Sequence, residues 1–85
     1  MPSPIFTEDY ETMVAILVQA RQNAGMSQRA LAQRLGKSQS HINMIEQRQR
    51  RVELREFYLI CKSLDASPVA VFEQIARALD DRRAA

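Results

Sequence analysis

Apolar side chains recur every three or four residues in the first third of the chain, which is the spacing of one helical face. The recurring positions are Tyr10, Met13, Leu17, Ala20 and Ala24. Thr7 can cap a helix at the start of this run, acidic residues fill its first turn, and Gly25 follows its end. The pattern predicts a first helix from about Thr7 to Asn23.

Two short amphipathic segments follow, and one glycine separates them. The second predicted helix runs from Gln28 to Leu35 and ends at Gly36, and the third runs from Gln39 to Gln47. Ser27 and Ser38 stand in the capping positions before them. Their inward positions are Ala30, Leu31, Ala32, Leu35, Ile42 and Ile45. Two short helices joined by a turn of about three residues are typical of a helix-turn-helix unit, here about residues 28–47.

The last third of the chain predicts a basic connector and two more helices. The fourth helix carries the apolar positions Leu54, Phe57, Tyr58, Ile60, Cys61 and Leu64. Ser67-Pro68 is a cap followed by proline at a first helical position, and it starts a fifth helix. That helix carries Val71, Phe72, Ile75 and Leu79, and we expect the chain to fray from Asp80 to Ala85. No strand pattern appears, so residues 1–85 are predicted to form one compact all-α domain of five helices.

Composition narrows the classes of function. The chain has 85 residues, 46% of them hydrophobic and 26% charged, and a single cysteine. One cysteine excludes an internal disulfide framework and a multi-cysteine zinc site, which suits a reducing cytosol. No run approaches the roughly 18 apolar residues of a membrane span. The sequence offers no nucleophile–base pair, metal cluster or phosphate-binding glycine loop. We therefore expect a cytoplasmic protein without enzymatic activity, metal or cofactor.

The net charge of +2 conceals an uneven distribution. Residues 1–20 carry three acidic and no basic side chains, and residues 56–85 have a net charge of −1. Residues 21–55 carry eight Lys or Arg against Glu46 and Glu53, a net charge of +6. A positive field in the middle third favours a polyanionic partner on one face. A merely solvated charged surface is the alternative.

The third predicted helix presents an unusual outward face. At about 100° per residue, the direction opposite Ile42 and Ile45 holds Ser40, Asn43, Met44 and Gln47, with Gln39 in the first turn. These amide, hydroxyl and thioether groups can contact the edges of DNA bases, and the flanking basic residues suit phosphates. The alternative is that the same polar residues are simply solvated.

The distributed motif resembles the phage-repressor, or Xre-type, helix-turn-helix family. The resemblance extends from about Met13 to Phe72. It is carried by Gly25-Met26-Ser27-Gln28, Leu31-Ala32, Leu35-Gly36, Ser38, Ile42 and Ile45-Glu46. It implies a lambda-repressor-like, five-helix domain that binds the major groove of double-stranded DNA, usually as a homodimer on a two-fold-related operator. Regulation of transcription, most simply repression, is the implied function.

The resemblance also assigns roles to individual positions. The expected base-reading residues are Gln39, Ser40, Asn43 and Met44. The expected phosphate contacts are Gln28, Lys37, Ser38, Gln47, Arg48, Arg50 and Arg51. Arg21 and Glu46 match a largely buried structural ion pair. The sequence departs from the family pattern at Lys37, Arg48, Val52 and Asp65. Arg48 and Asp65 stand where glycine is usual after the third and fourth helices.

Several residues leave two interpretations open. Tyr10, Val14 and Val18 form an apolar stripe that belongs either to an enlarged core, sealed by Ile5-Phe6 or the fifth helix, or to a self-association surface. For the fifth helix we expect a dimer interface through Val69, Phe72 and Ile75. The apolar surplus is also the feature that supports an alternative function, an antitoxin or other interaction protein that neutralises a partner and autoregulates its operon.

Two further side chains are expected to be structurally ordinary. His41 has no second ligand for a metal site, and we expect it on the surface. Cys61 falls where the family has a small buried residue, and we expect it to pack in the core.

Overall fold

A computed structural model describes residues 7–84 of the chain and shows five α-helices over that range. Their bounds are α1 Glu8–Asn23, α2 Gln28–Leu35, α3 Gln39–Glu46, α4 Leu54–Ser63 and α5 Pro68–Ala84. Residues 7–84 contain no strand. The predicted all-α, five-helix architecture is therefore confirmed, with α2 and α3 as the helix-turn-helix.

Side-chain caps explain where the helices begin. The hydroxyl oxygens of Thr7, Ser27 and Ser38 each accept a hydrogen bond from the backbone N–H three residues later. Ser67 does the same for Ala70 at 3.2 Å, directly before Pro68. The cap of α4 was not foreseen: the Glu53 carboxylate accepts from the backbone N–H of Glu56. Each cap satisfies a helix N–H that has no intrahelical partner.

Left-handed residues follow four of the helices, the first being Gly25 after α1. Gly36 adopts a φ of +70° after α2, which costs glycine little. Arg48 and Asp65 take φ values of +60° and +56° at the two positions where the family pattern has glycine. For a residue with a Cβ this conformation costs roughly 1–2 kcal/mol. The backbone compensates after α3, where the N–H groups of Gln49 and Arg50 both donate to the Met44 carbonyl.

The core is a single cluster to which all five helices contribute. Its buried members are Leu17, Leu31, Ala32, Ile42, Ile45, Ile60, Cys61, Leu64, Val71 and Ile75. Val14 is also buried, while Tyr10 and Val18 are half-buried. The burial of Val14 therefore favours an enlarged core over an exposed surface for this part of the stripe on α1. The expected contribution of Ile5-Phe6 lies outside the described residues.

The end of α5 corrects the expected frayed tail, because the helix continues to Ala84. Arg82 forms ion pairs with Glu8 and Asp9, and Arg83 pairs with Asp9 at 2.8 Å. These guanidinium groups lower the pKa of the Asp9 carboxyl, Arg83 having the larger effect. The acidic first turn of α1 thus holds the basic last turn of α5, a long-range contact that helical periodicity does not reveal.

No helix in residues 7–84 is both long and apolar enough to cross a membrane.

Candidate nucleic-acid interface

Two buried isoleucines determine which side of α3 faces outward. Ile42 and Ile45 are 1% and 3% exposed, and they hold the inner face of α3 in the core. The opposite face consists of exposed side chains. These are Gln39, Ser40, Asn43, Met44 and Gln47. The outward direction deduced from the helical wheel is therefore the direction in the structure, and this face carries hydrogen-bonding groups without a formal charge.

Basic side chains border this polar face at both ends of α3. Lys37 is exposed just before α3, and Arg50 and Arg51 are exposed just after it. Arg48 is half-buried, in keeping with its position in the left-handed turn. Ser38 uses its hydroxyl oxygen to cap α3, accepting from the His41 N–H at 3.1 Å. Its O–H remains a donor that can bind a phosphate oxygen.

A bidentate ion pair connects α1 to the last residue of α3. Arg21 Nε donates to Glu46 Oε2 over 2.7 Å, and Arg21 Nη2 donates to Glu46 Oε1 over 3.1 Å. The side chains are only 13% and 11% exposed. Arg21 Nη1 also donates to the Met26 carbonyl at 2.7 Å. Both residues are thus internal supports of the motif, which is the structural role that the resemblance assigns them.

Gln28, an expected phosphate contact, has its amide nitrogen engaged inside the protein. Nε2 donates to Glu46 Oε1 at 2.9 Å and to Asn43 Oδ1 at 3.4 Å. Gln28 therefore joins the Arg21–Glu46 pair to a residue of the outward face. Sequence spacing did not indicate this connection, because it depends on how α2 crosses α3.

His41 corrects a second expectation, since it is not a surface residue. Its Nε2 lies 2.7 Å from Glu56 Oε2, and the two side chains are 12% and 15% exposed. The contact joins the first turn of α3 to the first turn of α4. A helical wheel of α3 alone places His41 at the side of that helix, between its inner and outer faces. Only the position of α4 shows that Glu56 covers this side.

An apolar face lies on α4 and α5. Its members are Leu54, Tyr58, Val69 and Phe72, which are 81%, 52%, 78% and 50% exposed. Together with Phe57 and Pro68 they line a shallow groove. We call these four residues the α4–α5 apolar face. Leu54 and Tyr58 were apolar positions of the predicted fourth helix, and the periodicity did not distinguish them from the positions that are buried.

Ile75 requires a correction as a dimer-interface residue. It is 1% exposed and belongs to the central core. It lies three residues after Phe72, but α5 turns its side chain toward the other helices. Val69 and Phe72 remain available on the surface.

Known proteins share both the sequence motif and the helical arrangement of this chain. The helix-turn-helix family HTH_3 matches residues 17–72, about two thirds of the chain. The chain belongs to the XRE-type helix-turn-helix family. An XRE-family-like protein from Pseudomonas syringae pv. tomato str. DC3000 is 31% identical, with 82% of this chain and 85% of that one covered and a TM-score of 0.78. This XRE-type domain is therefore a DNA-binding transcription regulator.

Two further solved structures with a similar fold are of named regulators. A mutant of the restriction-modification controller protein C.Esp1396I is 25% identical, with 86% of this chain and 97% of that one covered and a TM-score of 0.79. The clp gene regulator ClgR from C. glutamicum is 25% identical over 80% of this chain and 88% of its own, with a TM-score of 0.71. No curated protein matches the chain in sequence.

Proposed function

We propose that this XRE-type regulator is a sequence-specific repressor that binds a two-fold-related operator as a homodimer. The observation that carries the proposal is the outward face of α3, which is polar and uncharged at its centre and bordered by basic residues. A helix of this kind fits the major groove, where its side chains reach base edges while the border neutralises phosphates.

The base-reading role belongs to four exposed residues of α3. Gln39 and Asn43 carry amides, which suit adenine; Ser40 can donate to or accept from several bases; and Met44 suits the thymine methyl group. Met44 is 39% exposed although it is apolar, and an apolar contact in the groove would account for that exposure. Each good bidentate contact contributes about 1–3 kcal/mol of discrimination against a wrong base.

The phosphate-binding role belongs to residues that surround this face. They are Gln28, Lys37, Ser38, Gln47, Arg48, Arg50 and Arg51. Lys37, Arg50 and Arg51 are exposed, and none of the three forms an ion pair within residues 7–84. The amide nitrogen of Gln28 already donates hydrogen bonds inside the protein. Gln28 can therefore contact a phosphate only through its other atoms, or after its side chain has moved.

Dimerisation is assigned to the α4–α5 apolar face. Leu54, Tyr58, Val69 and Phe72 are large apolar side chains that a lone soluble domain seldom exposes together. A second copy meeting the same face across a two-fold axis would cover all four residues in both partners. To bind the proposed operator, such a dimer must place its two α3 helices on half-sites about 34 Å apart, which is one turn of B-DNA.

Regulation by this dimer follows from occupancy of the operator. A dimer that covers a promoter excludes the transcription machinery from it. The names of the similar proteins, a restriction-modification controller and a clp gene regulator, support a role in the control of genes.

The same apolar face favours a second candidate function, an antitoxin or other interaction protein. Here Leu54, Tyr58, Val69 and Phe72 would bind a toxin or another regulator, and DNA binding would autoregulate the operon. A second polypeptide that co-purifies from the native host in a fixed ratio favours this function. A purified self-dimer that binds DNA alone favours the repressor.

In vitro selection of bound duplexes tests the proposal directly. We expect an inverted repeat whose half-site centres lie about 34 Å apart. The matched control is Gln33→Ala, which removes an exposed glutamine from α2 rather than from the outward face of α3 and should select the same operator. Recovery of unrelated sequences without a repeat would contradict both specific readout and the dimer.

A further inference from the structure

We propose that Gln28 is a positioning residue for Asn43, fixing which side of the Asn43 amide faces DNA. The inference rests on the proposed role of Asn43 in base reading. It gives the side chain of Gln28 a role in sequence specificity and leaves the proposed phosphate contact to the rest of the residue.

The orientation of Gln28 is fixed by the group that it meets. Glu46 already receives two hydrogen bonds from Arg21, at 2.7 and 3.1 Å. A carboxylate only accepts hydrogen bonds, so the part of Gln28 lying 2.9 Å from Glu46 Oε1 is its –NH2 group. This donor is anchored, because the ion pair beneath it is nearly nine-tenths covered.

The orientation of Asn43 then follows from that of Gln28. The –NH2 group of Gln28 has two hydrogens, and Asn43 Oδ1 lies 3.4 Å from the same nitrogen. An amide nitrogen presented to Gln28 would set donor against donor, so the carbonyl oxygen of Asn43 is the end held inward. Its own –NH2 group is left on the exposed side of α3.

This arrangement predicts the chemistry that Asn43 recognises. An outward –NH2 group requires an acceptor on the base edge, which guanine, adenine and thymine each present in the major groove. Cytosine presents only its N4 donor there. Asn43 therefore contacts a base other than cytosine, and the contact depends on Gln28 keeping the amide from rotating.

The test compares three proteins with the wild type: Gln28→Met, Asn43→Ala and the double variant. For each protein we measure the affinity for the selected operator, for operators with a single base pair changed, and for random duplex. Methionine keeps the length of the side chain and removes its donor. We expect Gln28→Met to lose discrimination at the same base pair as Asn43→Ala, by roughly 2- to 13-fold, because Asn43 offers the base a single hydrogen bond. Affinity for random duplex should stay within about twofold, and the double variant should lose no more than Asn43→Ala alone.

Two further variants separate positioning from packing. Gln28→Lys retains an N–H donor, and it should preserve the ratio of operator to variant binding even if its charge strengthens all binding. Gln33→Met is the matched control on the same helix and should leave that ratio unchanged. Thermal unfolding of every variant verifies that the folded protein is being compared.

Three outcomes would overturn the inference. Equal weakening of operator and random duplex by Gln28→Met would identify a phosphate contact. Equal loss of discrimination in Gln28→Met and Gln28→Lys would show that the donor is irrelevant. If Asn43→Ala changes discrimination at no base pair, the proposed readout by Asn43 fails and the role of Gln28 fails with it; if only Gln28→Met is silent, the readout stands.

Discussion

The two candidate functional faces of this domain differ in how firmly their side chains are held. On the α2–α3 side, polar groups are joined through Arg21, Glu46 and Gln28, so that the outward face of α3 rests on a hydrogen-bonded frame. On the α4–α5 side, Leu54 and Val69 are 81% and 78% exposed and lack such a frame. One face is organised within the domain, whereas the other is exposed and is the face that we propose a partner covers.

This difference follows from what each face has to recognise. Base reading depends on the direction of individual hydrogen bonds, so its side chains gain from being held before DNA arrives. Apolar association is non-directional and scales with the area removed from water, so the α4–α5 apolar face needs only to be available. The frame should therefore matter for folding and specificity, and the apolar face for assembly.

The largest expected effect is loss of the frame. Glu46→Ala leaves the Arg21 guanidinium buried without its partner, and we expect the free energy of unfolding to fall by about 3–5 kcal/mol. Urea denaturation measures the change. The matched control is Glu73→Ala, which breaks the exposed pair with Arg77 and should cost at most about 0.5 kcal/mol. If the two variants lose similar amounts of unfolding free energy, the hydrogen-bonded frame of Arg21, Glu46 and Gln28 stabilises the fold no more than an exposed ion pair does.

The next effect concerns assembly alone. Val69→Lys places a charge in the α4–α5 apolar face, and we expect the dimer dissociation constant to rise at least about tenfold because apolar burial is lost. Sedimentation equilibrium measures it. Gln74→Lys adds the same charge at an exposed position of α5 outside this face and serves as the control. A wild-type chain that stays monomeric at all concentrations would remove this face from self-association.

A smaller effect separates reading from phosphate binding. Gln39→Ala should cost about 1–3 kcal/mol of discrimination at one or two base pairs. Arg50→Ala should weaken binding to operator and random DNA alike, and it should reduce the slope of log affinity against log salt by about 1. Titrations at several salt concentrations measure both quantities. A flat salt response of the wild type would contradict DNA binding through these basic residues.

The smallest effect tests the junction of α1 with α5, which lies outside both faces. Asp9 has a lowered pKa in the folded chain, so its contribution to stability is fully present above the ordinary aspartate pKa of 3.8 and is lost as the pH falls through the folded pKa. The difference in Tm between the wild type and Asp9→Asn should therefore be present at neutral pH and disappear in acid. A difference that grows in acid would have the wrong sign for this assignment.

The fold could be predicted from the sequence largely because its signals are local. Thr7, Ser27, Ser38 and Ser67 all act as the caps that they were expected to be, and Gly36 ends α2. Helical spacing likewise identified the outward side of α3. These features depend on neighbours within about one turn, which the sequence displays directly.

The features that the sequence did not predict depend on contacts between helices that are far apart along the chain. The sequence does not show that Glu56 covers His41, that Arg82 and Arg83 hold the end of α5 to α1, or that Ile75 turns into the core. Leu54 and Tyr58 share the period of the buried positions of α4, and only the packing of α5 shows that they stay exposed among residues 7–84. Such features require the tertiary arrangement.

The cysteine in the centre of the core can report when these helices separate. Cys61 is 0% exposed, and burial raises the pKa of its thiol. An alkylating reagent can therefore modify it only during moments when the core has opened, and the labelling rate measures how often that happens. Because this thiol is the only one in the chain, a single mass change reports the opening. Slower labelling on operator DNA would then measure how much the bound duplex steadies the whole domain.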